Sequence, residues 1–82
     1  MGRHEKRLAK LREATKTFPW LELVTLLDQL GFRHFEREGS RVAFEHEKTR
    51  ISIHLHKPHP ENYIKGGALK SVRQTLKQEG YL

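Results

Sequence analysis

The clearest structural pattern in the chain is the stretch Arg50-Ile51-Ser52-Ile53-His54-Leu55-His56. Apolar and polar side chains alternate along it, so it predicts a β-strand whose apolar face carries Ile51, Ile53 and Leu55. The opposite face carries Ser52, His54 and His56. Proline cannot donate a hydrogen bond to a strand ladder, so Pro58 and Pro60 end the strand.

Two further strands are predicted before this one. The first runs from Phe32 to Arg37 and the second from Arg41 to His46, with a turn signal at Glu38-Gly39-Ser40 between them. A second turn at Glu47-Lys48-Thr49 leads into the third strand. Short connections of this kind join antiparallel neighbours, so we expect a three-stranded meander with one apolar face.

A helix is predicted on each side of the strands. The first runs from about Trp20 to Leu30 and ends at Gly31, and its apolar stripe is Trp20, Leu23, Val24, Leu27 and Leu30. Residues 58–65 are expected to form a loop. The second helix follows Gly66-Gly67 and ends at Gly80, and its stripe is Leu69, Val72 and Leu76. The predicted class is therefore α+β, in the order α-β-β-β-α, with both helices on one face of the sheet.

Residues 1–17 are expected as a basic arm or as an additional short helix, with the main domain over residues 18–82. Six of the first seventeen residues are Lys or Arg and two are Glu, so this segment contributes +4 of the formal net charge of +6. Leu8 and Leu11 are spaced as on one helix face, but the segment is too polar to fold alone.

Size and composition limit the functional classes. A chain of 82 residues without cysteine predicts one domain with no disulfide and no thiolate metal site. The chain has no apolar run of membrane-spanning length, so we expect a cytoplasmic protein without a membrane partner. Sixteen Lys and Arg residues against ten Asp and Glu favour a polyanionic partner, either nucleic acid or an acidic protein.

Three of the six histidines lie in His54-Leu55-His56-Lys57-Pro58-His59-Pro60. Histidine donates and accepts protons near neutral pH, which suits metal-free cleavage of RNA by a general acid and a general base. The candidate phosphate contacts are Arg41, Lys57, Lys65, Lys70 and Arg73. Two alternatives are a three-imidazole metal site and a solvated polar face.

From about Phe18 onward, the chain resembles the HicA family of toxin–antitoxin mRNA interferases. The resemblance rests on a helix ending in Leu30-Gly31, on Gly39-Ser40-Arg41-Val42-Ala43-Phe44, on His56-Lys57-Pro58-His59-Pro60, and on the segment from Lys65 to Arg73 followed by Glu79-Gly80. It implies a double-stranded-RNA-binding-like fold, ribonuclease activity on mRNA without a cofactor, and a HicB-type antitoxin partner.

One departure from the family pattern bears on the site. Many HicA proteins carry the catalytic histidine just after a Gly-Ser pair, and this chain has Arg41 there. The resemblance therefore implies His56 and His59 as the catalytic residues, with Arg41 as a phosphate contact, unless the chain is inactive. A non-catalytic RNA-binding module is the alternative function. A subunit whose basic surface only meets an acidic partner is the third.

Overall fold

The structure is a computed structural model, and it describes residues 3–82. Met1 and Gly2 of the predicted basic arm lie outside the described residues. In chain order the elements are α1 (Arg3–Glu13), β1 (Thr17–Pro19), α2 (Trp20–Gln29), β2 (Phe32–Glu36), β3 (Arg41–His46), β4 (Ser52–His56), β5 (Tyr63–Lys65) and α3 (Gly66–Gln78).

The main sheet is the predicted antiparallel meander, with strand order β2-β3-β4. Val42 lies opposite Leu55 and Phe44 lies opposite Ile53, and all four side chains are buried. The alternation seen in the sequence therefore gives the sheet one apolar face, which we call the inner face. β4 begins at Ser52, two residues later than predicted, and Arg50 has a φ angle of 64°, in the left-handed region outside strand conformations.

Helices α2 and α3 supply the other half of the core. The buried residues of α2 are Trp20, Leu23, Leu26 and Leu27, and those of α3 are Leu69, Val72 and Leu76. They form a single cluster with the inner face of the sheet. Each fully buried aliphatic or aromatic side chain contributes roughly 1.5–3 kcal/mol. The predicted α-β-β-β-α arrangement is confirmed.

The additional N-terminal helix that the sequence allowed is present as α1. Leu8 and Leu11 are both buried in the same cluster as α2 and α3. The guanidinium of Arg73 on α3 donates hydrogen bonds to the carbonyl oxygens of Ala14 and Arg12, at 2.9 and 2.8 Å. The polar segment is therefore held in place by tertiary contacts.

A small two-stranded sheet, β1 with β5, was not predicted. The expected loop over residues 58–65 is wrong at its end, because Tyr63–Lys65 pairs antiparallel with Thr17–Pro19. Phe18 lies opposite Ile64 and both are buried, so burial of this pair favours the ladder. Strands of three residues are too short to show an alternating pattern.

None of the helices within residues 3–82 has the length and apolar character needed to cross a membrane.

Candidate active site

The face of the sheet that points away from the helices, here called the outer face, collects polar and basic side chains. Directly opposite residues of an antiparallel pair project from the same side of the sheet. The β3–β4 register therefore makes Arg41 a neighbour of His56 and Ala43 a neighbour of His54. The outer face exists because the intervening residues of both strands point into the core.

His56 lies at the end of β4 and is held by the turn that precedes β3. Its Nδ1 atom lies 3.3 Å from the hydroxyl oxygen of Ser40, within hydrogen-bond distance. The amide of Lys57 donates to the carbonyl oxygen of Ser40 at 2.7 Å, so the two segments are joined by backbone as well. Within the described residues, Nε2 of His56 has no hydrogen-bond partner, and the ring is exposed. This nitrogen is therefore accessible for proton transfer.

A shallow concavity of about 270 Å³ opens on the outer face around these residues. It is lined by Arg37, Arg41, Val42, His54, Leu55 and His56. Arg37 belongs here because its amide donates to the carbonyl oxygen of Arg41 at 2.8 Å, which continues the β2–β3 ladder. Guanidinium groups bind phosphate oxygens in a fixed planar geometry, and imidazoles carry protons near neutral pH. Two of each therefore make a site suited to acid–base chemistry on a phosphodiester.

The structure does not place the predicted catalytic His59 among the residues that line the concavity. His59 is exposed in the segment after β4, beyond the exposed Lys57 and the half-buried Pro58. The structure thus brings His56 together with Arg41 and His54, whereas His59 lies outside that group. The assignment of His59 stays a prediction.

Of the other predicted phosphate contacts, Lys57 is exposed just after β4, and the remaining three lie on different surfaces. Lys65 is in β5, and its amino group lies 3.7 Å from a carboxylate oxygen of Glu61. Lys70 lines a second concavity between α1 and α3, together with Arg12, Arg73, Gln74, Lys77, Gln78 and Leu82. The two terminal nitrogens of Arg73 donate to the carbonyl oxygens of Arg12 in α1 and of Ala14 just after it, so its guanidinium is committed to the fold. None of these three lines the concavity on the outer face.

Comparison with protein-family models gives a match to the HicA toxin of bacterial toxin–antitoxin systems over residues 20–81, which is more than half of the chain. The chain belongs to the HicA toxin family. The searches of curated proteins and of solved structures returned no match. This HicA chain is therefore a toxin component, and membership implies an antitoxin partner. The matched residues begin at α2, so α1 and β1 lie outside them.

Three residues in or beside the candidate site were not singled out from the sequence. Arg37 and Phe35 on β2 share the outer face, and a strict period of two from Arg33 would have placed both of them there. Ser40 contacts His56 across the turn, which only the three-dimensional register reveals. His54 shares the polar face of β4 with His56, and both residues line the same concavity.

The metal alternative has no geometric support in the residues that the structure describes. Over that part of the HicA chain, no group of three or more histidine or acidic side chains is arranged to hold a metal ion. His54, His56 and His59 accordingly do not form a three-imidazole cluster. The site that residues 3–82 do present combines imidazole with guanidinium.

Proposed function

We propose that this HicA toxin is an endoribonuclease that cleaves mRNA on the outer face of its sheet without a metal ion, and so arrests translation and growth. The observation that carries the proposal is the concavity in which His54 and His56 lie beside Arg37 and Arg41. This set supplies a proton acceptor, a proton donor and cations from the chain itself. Acid–base catalysis with electrostatic stabilisation needs these three components.

In the proposed reaction, one group removes the proton of a ribose 2′-hydroxyl, and the resulting oxygen attacks the adjacent phosphorus. A second group protonates the 5′-oxygen as its bond to phosphorus breaks, which leaves a 2′,3′-cyclic phosphate and a 5′-hydroxyl. His56 is one of the two groups, because its ring is oriented by Ser40 while Nε2 is accessible. Arg41, Arg37 and Lys57 bind the phosphate oxygens and stabilise the charge that develops on them.

Two histidines are candidates for the second group. The family resemblance favours His59, which follows His56 in the same loop. The concavity favours His54, which lies two residues from His56 on the same strand face, about 6.6 Å along the strand. A phosphate fits between two imidazoles at such a spacing, so the geometry favours His54.

The departure of this chain from the family pattern at Arg41 is consistent with this arrangement. Where many HicA proteins carry a histidine after the Gly-Ser pair, this chain carries an arginine on β3, and His56 lies directly opposite it on β4. Directly opposite residues are about 5 Å apart. An imidazole is therefore present at nearly the same place on the sheet, supplied by the neighbouring strand. The presence of His56 opposite Arg41, where many family members carry a histidine, therefore supports an active toxin.

The experiment compares purified wild-type protein with His56→Gln, His54→Gln and His59→Gln on mRNA, with and without EDTA. We expect wild-type cleavage to persist in EDTA and His56→Gln to reduce the cleavage rate roughly 100- to 10,000-fold. His34→Gln is the matched control, because His34 is exposed and stacks on Phe44, which belongs to the inner face. Thermal unfolding of each variant separates loss of activity from loss of fold.

Several outcomes would contradict the assignment. Full activity of His56→Gln removes His56 from the chemistry, and full activity of both His54→Gln and His59→Gln removes the proposed pair. RNA binding by wild type without any cleavage product would instead support the alternative, a non-catalytic RNA-binding module.

We propose that the antitoxin partner is of the HicB type and that its acidic groups cover the same concavity. The concavity is lined by two arginines and by no acidic residue, so it attracts carboxylates as well as phosphates. The corresponding test adds the partner to the isolated toxin in equal amount and follows both cleavage and crosslinking. Inhibition by a partner that leaves the outer face uncovered would contradict this mode of neutralisation.

A further inference from the structure

An exposed aromatic ring lies on the outer face beside the proposed site. Within residues 3–82, two large apolar side chains are exposed, Phe35 at 36% and Leu21 at 75%. Leu21 lies on α2, whereas Phe35 lies on β2 directly opposite Ala43. Exposure of a single large apolar residue is ordinary, so its surroundings must decide whether Phe35 has a role.

The register aligns Phe35 with the histidines. Ala43 lies between Phe35 on one side and His54 on the other, so the three form one row across the sheet. Neighbouring strands are about 4.8 Å apart, so the backbones at Phe35 and His54 lie roughly 9.6 Å from each other. The adjacent row contains Arg41 and His56. The Ala43 side chain between Phe35 and His54 is small and buried.

The charges around Phe35 suit a nucleic acid. The Arg37 guanidinium lies over the Phe35 ring, with 5.8 Å between its central carbon and the ring centroid. The nearest acidic residue on the outer face of β3 is Glu45, and its carboxylate lies 3.6 Å from the guanidinium of Arg50. A phosphate near Arg37 and Arg41 therefore meets two cations beside the ring, and the Glu45 carboxylate has a cationic partner.

We propose that Phe35 stacks against an unpaired base, and that the substrate is single-stranded RNA whose neighbouring phosphate lies at Arg37 and Arg41. This inference rests on the proposed function for its link to cleavage, although stacking itself is a binding property. Aromatic side chains on an open sheet face, flanked by cations, bind successive bases in this way. Bases inside a duplex are stacked on each other and cannot present a face to Phe35.

The experiment measures binding separately from cleavage. The probe is a fluorescein-labelled single-stranded RNA of about ten nucleotides whose 2′-hydroxyls are all methylated, so that it cannot be cleaved. The same strand annealed to its complement is the duplex probe. Dissociation constants are measured by anisotropy for wild type, Phe35→Ala, Phe35→Ile and Phe35→Trp. Leu21→Ala is the matched control, because it removes the other exposed apolar side chain.

We expect Phe35→Ala to weaken binding of the single strand about 5- to 150-fold, the range for loss of one base–aromatic stack. Phe35→Ile keeps an apolar side chain with high strand propensity, so a similar weakening there assigns the effect to the lost ring and not to a disturbed strand. Phe35→Trp keeps or improves binding, and Leu21→Ala leaves it unchanged. Wild type binds the duplex more weakly than the single strand, and Phe35→Ala removes that preference.

Equal binding of the single strand by wild type, Phe35→Ala and Phe35→Ile overturns the stacking role, even when wild type cleaves RNA as proposed. Equal binding of duplex and single strand by wild type overturns the substrate class, and so does a wild type that binds neither. Binding that depends on Phe35 without cleavage supports stacking while it contradicts the endonuclease. The two proposals therefore fail in different ways.

Discussion

The His46 ring joins three parts of the chain around the end of α2. Nδ1 accepts hydrogen bonds from the amides of Lys48 and Thr49, at 3.1 and 3.3 Å. A nitrogen that accepts them carries no proton, so the proton is on Nε2, which donates to the carbonyl oxygen of Leu30 at 2.9 Å. The Tyr81 hydroxyl also lies 3.2 Å from Nε2, so one buried imidazole connects the end of the helix, the β3–β4 turn and the C-terminal segment.

The His46 ring packs against Gly31, which has no side chain to displace it. Gly31→Ala should therefore destabilise the protein more than the same substitution at a glycine with open space around it. An added Cβ would lie 2.9 Å from Nε2 of His46, and the φ angle of 99° disfavours any side chain. Gly80 also follows a helix at positive φ, 86°, but nothing lies within 4 Å of its Cβ position. We expect Gly80→Ala to lower the free energy of unfolding by about 1–2 kcal/mol. Gly31→Ala should cost about 1–3 kcal/mol more, through displacement of the ring.

Urea denaturation of both variants measures the difference. An equal loss for Gly31→Ala and Gly80→Ala would contradict the role of the His46 contact. Strand alternation places His46 on the same face as Val42 and Phe44, and the residue is buried. Its hydrogen-bond partners could not be predicted, because they come from the turn, from the helix end and from Tyr81.

At the scale of elements, α1 depends on a contact from the opposite end of the chain. Isolated helices of this length are marginal in water, and only a narrow stripe of α1 is apolar. Arg73 donates to two carbonyls in the segment around the C-terminus of α1, where a cation also interacts favourably with the helix dipole. We expect Arg73→Ala to lower the free energy of unfolding by about 1–3 kcal/mol and to speed amide hydrogen exchange in residues 3–13.

Lys70→Ala is the control for Arg73, because Lys70 lies three residues earlier on the same helix and is exposed. It should leave both the free energy of unfolding and the exchange rates unchanged. Unchanged exchange in Arg73→Ala would show that α1 is held by its leucines alone. Loss of RNA binding in an otherwise stable Arg73→Ala would favour the original prediction of Arg73 as a phosphate contact.

The elements that the sequence predicted are those with a repeated pattern. The stripe of α2 and the alternation of β4 each extend over several residues, and the structure has both. β1 and β5 contain three residues each, and their pairing joins Phe18 to Ile64 across most of the chain. A single sequence contains no sign of such a long-range pair, because each strand is stabilised by the other and by burial in the assembled core.

The same limit applies to the site. Alternation predicted that His54 and His56 share the face away from the helices, and both are exposed there. It did not predict that Arg41 lies opposite His56, since register depends on turn geometry. The hydrogen bonds that Arg73 donates near the end of α1 could not be predicted from the sequence either, because they depend on how the N-terminal helix packs. The catalytic roles themselves stay predictions for mutagenesis.

At the scale of the whole molecule, RNA binding depends more on how the charge is distributed than on the total of +6. Basic residues line several separate surfaces, among them the outer face of the sheet and the concavity between α1 and α3. The second surface contains Arg12, Lys70 and Lys77 on the side of the sheet that the helices cover. An RNA on the outer face would not reach them, so the number of phosphates bound should be smaller than the net charge suggests.

Salt dependence of RNA binding tests this point. Arg37 and Arg41 on the outer face, with the exposed Lys57 just after β4, predict that the logarithm of the association constant falls with the logarithm of salt concentration at a slope of about −2 for a single strand. Replacing Arg37 and Arg41 by glutamine should reduce the slope to about −0.7, whereas replacing Lys70 and Lys77 should leave it unchanged. Titration of the methylated single strand at several KCl concentrations gives all three slopes. A smaller slope in the Lys70 and Lys77 variant would show that RNA also contacts the helical side, and so support the prediction of Lys70 made from the sequence.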